Sequence, residues 1–172
     1  MNNVGFKNGL FYGASAVGLY LVGYLINKRM LFSPGFGPII SIVIPILFMV
    51  LAARATRQNQ EGVMTFGESL SPTFLTYVIG SLIFTLFSFV MSHMVDPSLL
   101  DISKEVAIEA IDKVAGMLGL SGDELDEMKD AVEEGANASI GTTLMGWAFS
   151  LILPGFIIAA IISAIMKKNA VA

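Results

Sequence analysis

Long apolar stretches alternate with short polar ones along this chain, and four of the stretches are long enough to cross a bilayer. A spanning helix needs about 20 mostly apolar residues. The first stretch lies between Lys7 and Lys28 and holds twenty uncharged residues, including GLFYGASAVGLYLVGYLI. The second runs from Met30 to Ala53, with PIISIVIPILFMVLAA at its centre. The third lies between Glu68 and Asp96, the fourth between Gly135 and Met166. None of the four contains Asp, Glu, Lys or Arg. Lipid offers the backbone no hydrogen-bond partner, so stretches of this length must be helical. The pattern predicts spans over about 8–27, 35–54, 68–95 and 142–166.

The first stretch is expected to be a true span rather than a cleaved leader. ASA at 14–16 has the small residues of a cleavage site, but the apolar run before it, Gly9 to Gly13, is too short for a signal sequence. NKRMLFSPGFG joins spans one and two by a short turn, which makes them antiparallel neighbours. Before the third span, Thr65 and Glu68 have capping-box spacing, so that helix is expected to start near Phe66. Pro72 then falls in its second turn, where a kink or a later start is expected.

Residues 96–137 follow a different pattern. Asp96-Pro97 has the form of a helix start, with Asp as N-cap and Pro in the first turn. Leu99, Ile102, Val106, Ala110, Val114 and Met117 follow at helical spacing, with Asp101, Glu105 and Asp112 largely opposite. GLSG at 119–122 interrupts the pattern, and Ser121 with Glu124 forms a second capping box. Leu125, Met128 and Val132 mark a stripe on the next helix, whose first turn carries acids where the helix dipole favours them. The segment is therefore expected to be an acidic, amphipathic helical hairpin outside the membrane. The whole chain is expected to be an all-α integral membrane protein, one membrane domain of four spans with this hairpin between spans three and four.

Composition sharpens that picture. The 172 residues are 55% hydrophobic and only 14% charged, against about a quarter charged in ordinary soluble domains. The absence of cysteine excludes disulfides, thiolate metal sites and cysteine nucleophiles, and the single His93 excludes multi-histidine sites. From Asp96 to Glu134 there are twelve acids and three lysines, a net charge of −9. The remainder carries seven basic and two acidic side chains, a net of +5. The overall −4 thus sums a basic membrane part and an acidic insert.

Charge also bears on orientation, because basic residues near span ends mark the cytoplasmic side and acids contribute little. Lys7, Arg54, Arg57, Lys167 and Lys168 fall on the side of the termini; Lys28, Arg29, Lys104, Lys113 and Lys129 fall on the other. The raw count ties. Lys113 and Lys129 lie deep in the hairpin, where the bias fades, so counting near residues places the termini inside and the hairpin outside.

FKNGLFYGASAVGLYLV, TFGESLSPTF, the DP at 96–97, LGLSGDELDEMKD and IIAAIISAIMKKN are spread over nearly the whole chain. In these stretches the chain resembles domain-of-unknown-function family 4199, a family of small bacterial membrane proteins. The resemblance implies four spans and an inner-membrane location. It carries over no activity and no catalytic residue.

Several constellations bear on function. Ser81, Thr85, Ser88 and Ser92 recur on one face of the third span. They are a candidate polar lining for a solute path, or else packing hydroxyls that bond locally or to a neighbouring helix. Ion and proton pathways usually carry ionisable groups in the membrane, and this face has none. Gly155, Ala159 and Ser163 on the fourth span and Gly9 and Gly13 on the first have small-xxx-small spacing. Such faces let helices approach closely, within one bundle or between copies. Pro45 and Pro154 lie inside spans two and four, and Pro154-Gly155 predicts a kink. His93 near Asp96 forms either a pH-sensitive pair or an interfacial histidine. DELDEMKDAVEE places Leu and Met where a calcium loop needs oxygen and Gly, so it is not one.

The residues thus point away from an enzyme. No catalytic, cofactor-binding or metal-binding set is expected, and no nucleic-acid partner. The expected partners are the bilayer and either further copies of the chain or another membrane protein. The alternative is a small-solute transporter or channel using the hydroxyl face of span three.

Overall fold

The computed structural model describes residues 2–118, 122–136 and 138–167. It is all-α, with four helices long and apolar enough to span a membrane: Asn3–Ile26, Ile39–Asn59, Phe66–Val95 and Ile140–Met166. α1 is Asn2–Ile26, and a short 3-10 turn, Lys28–Phe32, follows it. Span two opens with a π-helical turn, Ile39–Val43, and continues as α2, Ile44–Asn59. Span three is α3, Phe66–Val90, ending in a second π turn, Met91–Val95. α4, Ser98–Leu118, and α5, Asp123–Ala136, form the hairpin. Span four is α6, Ile140–Ser150, then a third π turn, Leu151–Gly155, then α7, Phe156–Met166.

Span three is the hub. α1, α2, α6 and α7 all pack against α3, whereas α1 touches neither α6 nor α7 among the described residues. The reason lies in its composition of small and hydroxyl residues facing its neighbours. Ser69, Thr73, Thr76, Gly80 and Ser81 are all buried on α3. Thr73 and Thr76 donate to the carbonyls of Ser69 and Pro72 within their own helix, at 2.7 and 2.8 Å. Thr76 also lies 3.2 Å from the Gly5 carbonyl of α1, a bond between spans. Tyr12, Tyr20, Met49, Tyr77 and Ile162 fill the apolar core around these small residues.

The start of α3 is the predicted one. The Thr65 hydroxyl accepts from the Glu68 amide while the Glu68 carboxylate accepts from the Thr65 amide at 2.8 Å. The helix runs on through the buried Pro72. Pro45 lies just after the π turn of span two, inside the continuous helix Ile39–Asn59. Pro154, by contrast, lies inside the π turn of span four, in the middle of the membrane segment.

That turn shapes the bundle. Beyond it, α7 packs on both α2 and α3. On the hairpin side, α6 keeps contact with α3 and, among the described residues, none with α1, span two or α4. No residue of α6 is buried. Spans two and four therefore meet at the end where the termini lie and part toward the hairpin.

The hairpin rests on the bundle through α4. The first turns of α4 pack on the Lys28–Phe32 turn and on the end of span three, with Leu99 fully buried. α5 packs on α4 and, among the described residues, on no span. Two readings of the sequence need correction here. The stripe Leu99–Met117 is a contact face only at its start: Ile102 and Val106 are half-buried, but Ala110, Val114 and Met117 are exposed. α4 lies across the mouth of the bundle and then leaves it, so its later residues have no floor beneath them. Ala115 is the buried residue of that last part. The Asp96 carboxylate takes a tertiary role in place of capping helix amides, as described below. Ser121 of the second predicted capping box lies outside the described residues.

Candidate functional site

The parting of spans two and four leaves a cavity of about 340 Å³ beneath the hairpin. Its deep end is aromatic and aliphatic: Tyr20 of α1, Ile40 of span two and Phe84 of α3. Tyr20 stands edge-on to Phe84 and Phe87, with ring centroids 5.9 and 5.5 Å apart, which fixes this floor. Its shallow end is polar. Ser88, Ser92 and His93 come from span three, Ser103 from α4 and Thr143 from α6, with Ser41 on the span-two wall. Leu99 and Leu100 of α4 form part of its cover.

The polar groups are arranged by local hydrogen bonds. Each serine hydroxyl donates to a carbonyl one turn earlier: Ser41 to Gly37 at 3.1 Å, Ser88 to Thr85 at 3.1 Å, Ser92 to Ser88 at 2.8 Å and Ser103 to Leu100 at 2.8 Å. Their oxygens keep the capacity to accept. The His93 ring stacks on Phe89, centroids 4.0 Å apart. Its Nδ1 lies 3.2 Å from the Phe89 carbonyl and 3.2 Å from Ser92 Oγ. A carbonyl can only accept, so Nδ1 carries a proton. Nε2 is buried and has no hydrogen-bond partner among the described residues.

The cover is latched by charge. Asp96, at the end of span three, pairs with Lys28 and accepts from the Tyr24 hydroxyl at 2.8 Å and from Ser98 Oγ at 2.6 Å. Lys28, followed by Ser98 and Tyr24, holds the Asp96 carboxyl well below the usual carboxylate range. The same bond raises Lys28 above its ordinary value. Arg29 reaches two carboxylates one turn apart on α4: Glu109, and Glu105 at 2.8 Å. Glu109 and then Glu105 raise its pKa further. Two stretches distant in sequence, 24–29 and 96–109, thus meet at one end of the bundle. The segments that the hydropathy pattern shows as a loop and an acidic insert form one electrostatic joint.

The predicted residues divide. Ser88 and Ser92 line the cavity, but Ser81 and Thr85 do not. Ser81 is buried and accepts from the indole N–H of Trp147 at 2.9 Å, a packing role between α3 and α6. Thr85 is half-buried, and its carbonyl takes the Ser88 bond. The small residues all face inward. A β-carbon on Gly9 would lie 2.6 Å from Ile79, and one on Gly13 would lie 2.9 Å from Ile83. One on Gly155 would lie against the Tyr77 ring, 2.6 Å from Cδ1. Ala159 and Ser163 are fully buried.

Sequence reasoning missed Gly5 and Gly80, which approach Pro72 and the Tyr12 ring. Both have the same small-residue signal as Gly9 and Gly13, in register with them across α1 and α3. It also missed Lys28, Arg29, Tyr24 and Glu105 as one set, because nothing local links residues some seventy positions apart. Among the described residues no group of three or more His, Cys, Asp or Glu is placed to hold a metal ion.

No curated protein and no solved structure matches the chain. Residues 3–168 match a family described as "Protein of unknown function (DUF4199)". This span takes in all four membrane helices and the hairpin, and the chain belongs to domain-of-unknown-function family 4199.

Proposed function

We propose that this multi-pass membrane protein is a non-enzymatic accessory or assembly component that works by docking, with the hairpin as its docking element. One observation carries this reading: α5 packs on α4 and, among the described residues, on no span. The pair leaves Val114, Met117 and Met128 at 45%, 85% and 41% exposure beside a strongly acidic surface. A partner with an apolar patch rimmed by basic side chains complements that surface. The small-residue faces at Gly9, Gly13, Gly155, Ala159 and Ser163 are occupied inside the bundle, so association falls to the hairpin. In this reading the chain sits in a bacterial inner membrane, termini in the cytoplasm and hairpin outside, as the basic residues near span ends favour.

The test is native mass spectrometry in mild detergent after cross-linking in the source membrane. A second copy or another membrane protein should accompany the native chain. It should be lost when Val114, Met117 and Met128 are all changed to Ser. A chain that remains alone in both forms overturns the docking reading.

A second reading, small-solute transport, draws on Ser88 and Ser92 at the cavity wall. It is the weaker one, because buried Tyr12, Met49 and Tyr77 fill the core toward the other end. Changing Ser88 and Ser92 together to Ala should leave any liposome flux unchanged if they only pack. Altered flux selectivity in a folded protein would favour transport.

A further inference from the structure

The cavity beneath the hairpin has features that docking does not use. It is amphipathic along its depth, apolar at Tyr20 and Phe84 and polar at Ser92, His93 and Ser103. The polar end lies at the end of span three, near the level of lipid headgroups, and the apolar end lies toward the membrane centre. Its side is open to lipid, because α6 does not touch span two among the described residues. Its size is at the lower end of small-ligand sites, about 300–1,000 Å³.

The polar end is mainly hydroxyl in its chemistry. The serine hydroxyl protons are directed to backbone carbonyls, and the Nδ1 proton of His93 lies against Phe89 and Ser92. What remains toward a ligand is hydroxyl chemistry: the serine oxygens can accept, and the Tyr20 and Thr143 hydroxyls also line the cavity. The nearby charges, Lys28 and Arg29, are already matched by Asp96, Glu105 and Glu109, so they offer little to an anionic head.

We infer that this cavity is a binding site for a neutral single-chain amphiphile whose head donates a hydrogen bond, entering sideways from the bilayer between spans two and four. The head lies against the serine oxygens, and the chain runs down toward Phe84. This site is independent of the docking surface on the hairpin, and either can fail without the other.

The test uses the full chain in phosphatidylcholine nanodiscs. The probes are a medium-chain fatty alcohol bearing a photoreactive diazirine and a fatty acid of equal length bearing the same group. Irradiation and peptide mapping should show saturable labelling by the alcohol in the segments 84–93 and 99–103, competed by unlabelled alcohol, with weaker labelling by the acid. Thr143→Trp should suppress it, while Met145→Trp, at a lipid-facing position on the same helix, should not. Ser92→Ala should weaken alcohol binding roughly threefold to twentyfold, the factor for one lost hydrogen bond in a membrane protein. Labelling that does not saturate or that favours the acid overturns the inference. So does labelling that is unchanged in a folded Thr143→Trp protein. Competition in the unsubstituted chain decides the matter even where a variant does not fold.

Discussion

Gly155 lies directly against the ring of Tyr77: a β-carbon there would stand 2.6 Å from Tyr77 Cδ1. The contact joins the π turn of span four to the centre of span three. It explains why a residue without a side chain follows Pro154, at the point where span four changes direction.

Gly155→Ile should therefore destabilise the bundle, by about 1–3 kcal/mol or more for an overpacked site. The check is the yield of folded, detergent-solubilised protein and its thermal midpoint. Gly146→Ala, where a β-carbon meets nothing within 4 Å, should leave both unchanged. Equal behaviour of the two variants would place Gly155 against lipid.

Trp147 and Ser81 make the hydrogen bond that ties α6 to α3 at 2.9 Å. Trp147→Phe keeps most of the apolar surface and removes the donor. The expected loss is about 0.6 kcal/mol, and at most about 1.7, as measured for such bonds between membrane helices. Steric trapping or reversible unfolding in mixed micelles would measure it.

Asp96 and Lys28 make the hairpin latch sensitive to pH at both extremes. The folded carboxyl lies below its ordinary value, so its contribution is complete above about pH 4 and fades as pH falls toward the folded value. Lys28 is raised, so its contribution is complete below about pH 10 and is lost as pH rises through the folded value. Between these limits the latch is constant. Hydrogen exchange of α4 should be faster in Asp96→Asn than in the native chain at neutral pH, and the difference should shrink below about pH 4. A difference that persists unchanged in acid would mean that the pair does not hold the hairpin.

The hairpin also separates floor from surface. Leu99→Asp places a charge at a fully buried position under α4. It should make the segment 98–136 sensitive to added protease in spheroplasts. Val114→Asp, at 45% exposure, should be tolerated, as should Asp126, Glu127 and Asp130 changed to Asn or Gln. Sensitivity of the unsubstituted hairpin equal to that of Leu99→Asp would remove the docked arrangement.

Orientation can be read without background, because the chain has no cysteine. A single Cys at the exposed Glu127 should label with an impermeant maleimide in intact spheroplasts. One at Gln58, on the side of the termini, should label only after lysis. The reverse pattern would invert the topology.

The four spans were legible in the chain because a bilayer imposes a local rule: each helix must be long, apolar and internally hydrogen-bonded. The capping box at Thr65 and Glu68 was legible for the same reason, since its partners lie three residues apart. The small residues at Gly9, Gly13, Gly155, Ala159 and Ser163 stood out by spacing. Spacing does not say which neighbour a helix meets, and two copies or two spans satisfy it equally. Packing around span three turned all of them inward. The hydroxyl row divided by the same cause: Ser81 met Trp147, while Ser88 and Ser92 faced the gap where α6 leaves span two. The acidic pattern of 96–137 was plain, but its joint was not. Lys28, Arg29, Asp96 and Glu105 become one cluster only when the first helical turn-around and α4 share an end of the bundle. Contacts between residues some seventy positions apart leave no periodicity in the chain, because their spacing depends on how the helices fold back and not on any helix repeat.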